Sequence, residues 1–315
     1  MPVQTRNINT IKNALALATR HPFRSNSNNF YGRFSLLRLA NLCLAILALA
    51  APAAAQEDSL PLWEIRTGAF GLYAPDYPAS GNYRLNGLAY PNIQYRGEFI
   101  RLGGSAAARL VPVDNPRYEI GISLDASFAA NSDDNELREG MPDLGYLFEL
   151  GPEFILHGPT FNTGSISGKL DFALQGRAVF SADLDEGIGY EGLVLEPAVR
   201  YEVLDLLGEG SRIRASIGPI FATERLHDYF YEVAPGFAAP GRPAYDAEGG
   251  YLGTEASLGV SLPLSDRFRL FGGLGLGYYA GAANTDSPLY EEDLNGYVFF
   301  GGSVTLFESR RKVVR

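Results

Sequence analysis

Polar and apolar residues alternate along most of the chain. In residues 251–262, YLGTEASLGVSL, the side chains Leu252, Thr254, Ala256, Leu258, Val260 and Leu262 fall on one side. Tyr251, Gly253, Glu255, Ser257, Gly259 and Ser261 fall on the other. A period of two is that of an extended strand with one apolar face. The pattern recurs in RFRLFGGLGLGYYA at 267–280, in RYEIGISLDASF at 117–128 and in KLDFALQGRAVF at 169–180. Further strands are expected over 63–73, 98–110, 143–156, 191–203, 211–223 and 296–307, ten in all. Their length, roughly ten to fourteen residues, exceeds that of ordinary globular strands and suits a strand crossing a bilayer at a tilt. No helical periodicity of comparable length follows residue 56.

Loop lengths order these strands. With ten, the short segments 111–116, 157–164, 204–210 and 263–266 share one side, and the long ones 74–97, 130–142, 181–190, 224–248 and 281–295 share the other. Outer-membrane barrels have this asymmetry, with short turns in the periplasm and long loops outside. A weaker pair of candidates at 87–95 and 227–234 would raise the count to twelve. That count moves the acidic segment NSDDNELREGMP to the periplasmic side, so ten is the expected number, with twelve open.

Alternation alone does not say whether the apolar face looks into a core or into lipid. Ten strands closed with their apolar faces inward would enclose a space too wide for side chains to fill. The apolar faces carry almost no charge over their middle positions, whereas the opposite faces carry charges such as Arg212 and Arg214, or Glu119 and Asp125. Trp63, Tyr73, Tyr118, Phe128, Tyr201, Tyr251, Phe268, Tyr278 and Tyr279 lie near strand ends, as interfacial aromatics do. The expected architecture is all-β: a transmembrane, antiparallel, up-and-down β-barrel of ten to twelve strands. Closure leaves no free sheet edge, which lipid demands.

The N-terminal segment differs in kind. Residues 1–55 contain Arg6, Lys12, Arg20, Arg24, Arg33 and Arg38, no Asp or Glu, and end in LANLCLAILALAAPAAAQ. A basic stretch, an apolar run and small residues form a secretory signal peptide, here behind a long N-terminal extension and cleaved after Ala55. The barrel domain is then 56–315. Cys43 lies in the apolar run, so the remainder has no cysteine and no disulfide, thiolate metal site or thiol catalysis. Without the six leader cations, 20 basic residues face 36 acidic ones, a formal net charge of −16. Such a surface repels nucleic acid.

Catalytic residue types are few. His157 lies in HGPTFNTG, an expected periplasmic turn, and His227 lies beside Asp228 in TERLHDYF on the outer side. A His-Asp pair at a barrel rim can activate water, and a His with Ser and Glu can deacylate lipid. Adjacent residues of a strand point apart, however, and spacing marks out no nucleophile, so both histidines are expected to be solvated loop residues. Acidic runs at Asp133 and Asp134, at Asp183, Asp185 and Glu186, and at Glu291, Glu292 and Asp293 lack calcium-loop spacing. No catalytic, cofactor-binding or metal-binding residue is therefore assigned, and no cofactor is expected.

The order WEIRTGAFGLYAPDYPASGNYR, LAYPNIQYRGEFI, REGMPDLGYLFELG, DYFYEV and AANTDSPLY, closed by an aromatic strand, resembles the MipA/OmpV family of outer-membrane proteins. The likeness rests on Pro75, Tyr77 and Ser80; on Pro91 and Tyr95 before Phe99; on Tyr229 and Phe230; and on Asp286, Ser287 and Pro288. Tyr231 stands where the family pattern has glycine, and ESRRKVVR follows Phe307, the aromatic residue at which such barrels usually end. The resemblance implies a non-enzymatic scaffold in the outer membrane of a Gram-negative cell. It implies a murein transglycosylase and a murein synthase as periplasmic partners, beside outer-membrane lipid and lipopolysaccharide. Recognition would have to use the basic tail, the short turns or the segment QEDSLPL. An acid-rich, narrow, weakly cation-preferring channel for small solutes is the alternative.

Overall fold

The computed structural model describes residues 59–97, 100–102, 108–183 and 187–314. The leader expected over residues 1–55 lies outside them.

Twelve strands form one antiparallel ring: β2 (Trp63–Pro75), β3 (Tyr83–Arg96), β4 (Ile100–Leu102), β5 (Ala108–Asp114), β6 (Tyr118–Ser127), β7 (Tyr146–Thr163), β8 (Ile166–Asp183), β9 (Gly187–Leu204), β10 (Arg212–Ala222), β11 (Gly250–Pro263), β12 (Phe268–Tyr278) and β13 (Leu294–Glu308). Each pairs with its neighbours in the chain, and β13 returns to β2 in register from Val298 opposite Tyr73 to Glu308 opposite Glu64. The pairing makes a closed barrel. A separate two-stranded ribbon joins β1 (Ser59–Pro61) to β14 (Lys312–Val314).

The alternating faces are oriented as expected except at Leu252, which is buried in the cap beside a register shift between β10 and β11. Ile120, Ile122, Phe148, Leu150, Phe154, Leu156, Phe172, Leu174, Leu193, Leu195, Leu274 and Leu276 are exposed on the outside. The intervening Glu119, Ser123, Glu153, Gln175 and Arg177 are buried on the lumen side. An outer band of this kind is stable only against an apolar medium. Trp63, Tyr73, Tyr118 and Tyr278 stand outward at strand ends, as girdle residues do, whereas Tyr279 turns inward and is buried. Close strand approach explains one lumen glycine, because a Cβ on Gly151 would lie 1.9 Å from the Gly176 carbonyl oxygen.

Five expectations about strands change. The count is twelve rather than ten. The expected strand 98–110 is replaced by two short strands, β4 and β5, and β5 runs on to Asp114 through most of the expected turn 111–116. The stretch 74–97 is not one outer loop, because it contains β3, an enlarged version of the weak candidate at 87–95. Both added strands precede residue 115, so every later loop keeps its side and the acidic segment after β6 stays outside. The other weak candidate, 227–234, is mostly helix: α1 (Glu224–Tyr231), entered from Thr223 with Glu224 in its first turn. Leu226, His227, Phe230 and Tyr231 are its buried residues, a helical spacing that two turns of sequence cannot distinguish from alternation. Finally, the expected turn at 157–164 belongs mostly to β7, and the reversal is confined to 164–165.

Candidate functional site

Three features offer places for function: the outer mouth, the lumen and the periplasmic face.

The outer mouth is closed by a packed cap. Leu147 of β7, Val179 of β8, Val194 of β9 and Leu252 of β11 form one apolar cluster with Leu226, Phe230 and Tyr231 of α1, and with Tyr77 and Leu289 from two other outer loops. Hydrogen bonds lock the loops together. Tyr77 donates to the Leu289 carbonyl at 2.9 Å, Tyr231 to that of Pro78 at 2.9 Å, and Asn295 to that of Ser80 at 3.0 Å. Arg138 donates to the Phe230 carbonyl at 3.2 Å, and the Ser287 hydroxyl to the Tyr231 carbonyl at 2.8 Å. Burial pushes the Tyr77 hydroxyl up to about 12 and lowers the Arg138 guanidinium, both marks of a dry interior. Tyr77, Ser80, Tyr229, Phe230 and Ser287, far apart in sequence, thus meet in one structure, with the departing residue Tyr231 only 1 % exposed within it.

The two histidines do not meet. His227 is fully buried in the cap rather than solvated, which corrects the expectation. Asn284 donates to its Nδ1 at 2.7 Å, so the proton is on Nε2, which points to the Gly250 carbonyl at 3.4 Å. Burial lowers its affinity for a proton further, so it is a neutral packing residue. His157 lies on β7 rather than in a turn, and its Nδ1 is 3.0 Å from Asp171 Oδ1 on β8.

Asp228 does not partner His227. It borders a cleft of about 310 Å³ with Arg138, Asp143, Glu191, Tyr229 and Glu232. Burial, then the carboxylates of Glu232, Glu224 and Asp246, push it up to about 6. Its folded value lies above its unfolded one, so its contribution to stability is present below about pH 4 and is lost as pH rises through about 6. Asp228→Asn should therefore raise stability at pH 7.5 by about 1 kcal/mol after solvent screening, with no gain at pH 4. Urea midpoints at the two pH values check this, and an equal shift at both would refute it.

The lumen is a network of ion pairs. Arg177 donates from Nε to Glu149 at 2.7 Å and from its terminal nitrogen to Glu196 at 2.8 Å. Glu153 Oε1 accepts from Arg200 at 2.6 Å and from Gln175 at 2.9 Å, and Glu202 meets Arg214 at 2.5 Å and Arg212 at 3.4 Å. Among the described residues no group of three or more His, Cys, Asp or Glu side chains could hold a metal ion. Of the acidic runs, Glu291 accepts from the Gly81 amide at 2.7 Å and Asp293 from the Tyr290 hydroxyl at 2.8 Å, both contacts within the cap.

On the periplasmic face, the tail after Phe307 and the segment before Trp63 are brought together. Beyond the β1–β14 pairing, Leu62 donates to the Arg311 carbonyl and Ser309 to that of Trp63, both at 2.8 Å. Arg96 anchors the ribbon to the barrel through the Pro61 carbonyl at 2.7 Å. The basic tail and the described part of QEDSLPL, residues 59–62, are thus joined in one structure.

The family model for "MltA-interacting protein MipA" matches residues 67–305. The chain belongs to the MipA family. With its lipid-facing barrel, this makes it an outer-membrane β-barrel protein. No curated protein matches the chain. Similar solved structures include a bacterial polysaccharide outer membrane secretin, 12% identical over 79% of this chain and 100% of that one, TM-score 0.32. Outer-membrane expressed OmpT of Vibrio cholerae is 8% identical over 81% and 99%, TM-score 0.32. The CymD monoaromatic hydrocarbon channel is 10% identical over 79% and 90%, TM-score 0.30.

Proposed function

We propose that this outer-membrane barrel of the MipA family is a non-enzymatic scaffold, exported behind a cleaved leader, that docks murein-remodelling enzymes at its periplasmic face. The observation that carries this reading is the β1–β14 ribbon. It builds a structured platform from the two segments outside the barrel proper and ties it to Arg96. A murein transglycosylase is the first partner to test, because the family is named for that interaction. The catalytic residue types support the same reading: His227 is enclosed in the cap, His157 lies on another strand face, and Ser181 is bonded to Glu191 with neither histidine beside it. A narrow cation-preferring channel is the second reading, favoured by the charged lumen and opposed by the cap.

A photo-crosslinking side chain placed at Val313 in intact cells tests the scaffold. Recovery of a murein transglycosylase or synthase is the expected result, and a chain ending at Glu308 should insert yet lose that capture. Capture of lipopolysaccharide alone would end the scaffold reading.

A further inference from the structure

At the periplasmic end of the barrel, lumen-facing arginines cluster on the arc of strands from β9 through β13 to β3, whereas Glu119 and Asp171 lie on β6 and β8 outside that arc. Arg66 and Arg96 share Glu64, at 3.1 Å for Arg96, and Arg212 and Arg214 share Glu202. Arg269 forms no ion pair among the described residues and donates to the Gly210 carbonyl at 3.1 Å and the Ser261 hydroxyl at 3.2 Å. Arg66, Arg96 and Arg212 all lie within electrostatic reach of Arg269, as does the one carboxylate Glu64. Five inward arginines therefore face two inward carboxylates on strands β2, β3, β9, β10 and β12. An opening of about 430 Å³ leads in between Arg66, Arg267, Arg269, Pro263 and Phe268, with Glu209 and Asp266 on exposed turns at its edge. Positive charge continues onto the ribbon through Arg310, Arg311 and Lys312.

Clustered guanidinium groups repel one another, and an arrangement of this kind is stabilised by an anion. The distribution distinguishes among anions. A small ion needs one convergent point, whereas these charges are spread over several strands and the ribbon. Among the described residues β14 pairs only with β1, so its other backbone edge is the one that can accept a further strand, whereas the Pro61 carbonyl of β1 already accepts from Arg96.

We propose that the periplasmic mouth and ribbon form a binding site for an extended acidic peptide segment, whose carboxylates meet Arg269 and the ribbon cations while its backbone adds to the ribbon edge. This rests on the scaffold reading for the identity of the partner but not for the binding itself.

The test uses the full-length protein in detergent micelles and a fluorescein-labelled glutamate-rich peptide, read by anisotropy. Wild type should bind it, more weakly as salt rises, and Arg269→Gln should weaken binding about tenfold, the loss of one charge-assisted contact. Arg269 forms no ion pair among the described residues, so its removal leaves no orphaned acid there. If that variant does not fold, Lys312→Gln on the exposed ribbon should weaken binding about threefold, by the smaller worth of an exposed charge. Equal binding of wild type and variant, equal binding of a lysine-rich peptide, or complete displacement by inorganic phosphate at matched ionic strength would overturn the proposal. Peptide binding without enzyme capture in cells would overturn the scaffold and leave this site standing; the reverse would do the opposite.

Discussion

Tyr231→Ala should open the outer mouth. Tyr231 is buried between α1 and the loop at 76–82, packs edge-on to Tyr77 at a ring separation of 6.3 Å, and donates to the Pro78 carbonyl. Truncating a buried aromatic costs about 3–5 kcal/mol through lost contacts and the cavity left behind. The cap is held by loop contacts rather than by strand pairing, so this loss falls on the cap while the barrel persists. In planar bilayers wild type should show no steady openings and Tyr231→Ala should show them, with the folded, heat-modifiable band retained. Tyr231→Phe, which loses only the hydrogen bond, should lower stability by about 1 kcal/mol and leave the mouth shut. Identical conductance of wild type and Tyr231→Ala would mean that the cap does not control access to the lumen.

The second large effect is expected at Arg177. Its guanidinium bridges Glu149 and Glu196 across three strands, and Arg177→Ala leaves both carboxylates in the lumen without it. Removing one partner from a buried pair costs about 3–5 kcal/mol, more than the intact pair contributes, because an uncompensated charge remains. The urea midpoint for loss of the folded band should fall accordingly. Adding Glu149→Gln and Glu196→Gln should recover much of the loss. An unchanged midpoint for Arg177→Ala would show that lumen water solvates these carboxylates and that the network is not structural.

Much of the architecture was legible because a barrel wall obeys a local rule. Side chains of a strand alternate between two environments, so Leu258, Leu274 and Phe172 report lipid and Glu149, Arg177 and Arg214 report the lumen from spacing alone. The miscounted strands have a local cause too. β4 has three residues, too few to show a period, and the glycine pair between β4 and β5 sat inside what reads as one strand. The cap was not legible. Its partners, such as Tyr77 and Leu289 or Arg138 and Phe230, are separated by 212 and 92 residues, and nothing in a loop's own sequence says which other loop it will meet. His227 shows the consequence, since a histidine in a polar outer loop is fully buried and bonded to Asn284, 57 residues away.

By itself the sequence determined the class of the fold, the lipid-facing and lumen-facing sets of side chains, and the side of each loop after β6, because each follows from residue spacing along one strand or loop. Tertiary structure alone decided that the outer mouth is capped, that α1 is a helix, and that the basic tail joins residues 59–61 in a ribbon tied to the barrel by Arg96. Those features depend on contacts between segments far apart in the chain, and burial, not local periodicity, selects among the conformations that each segment allows.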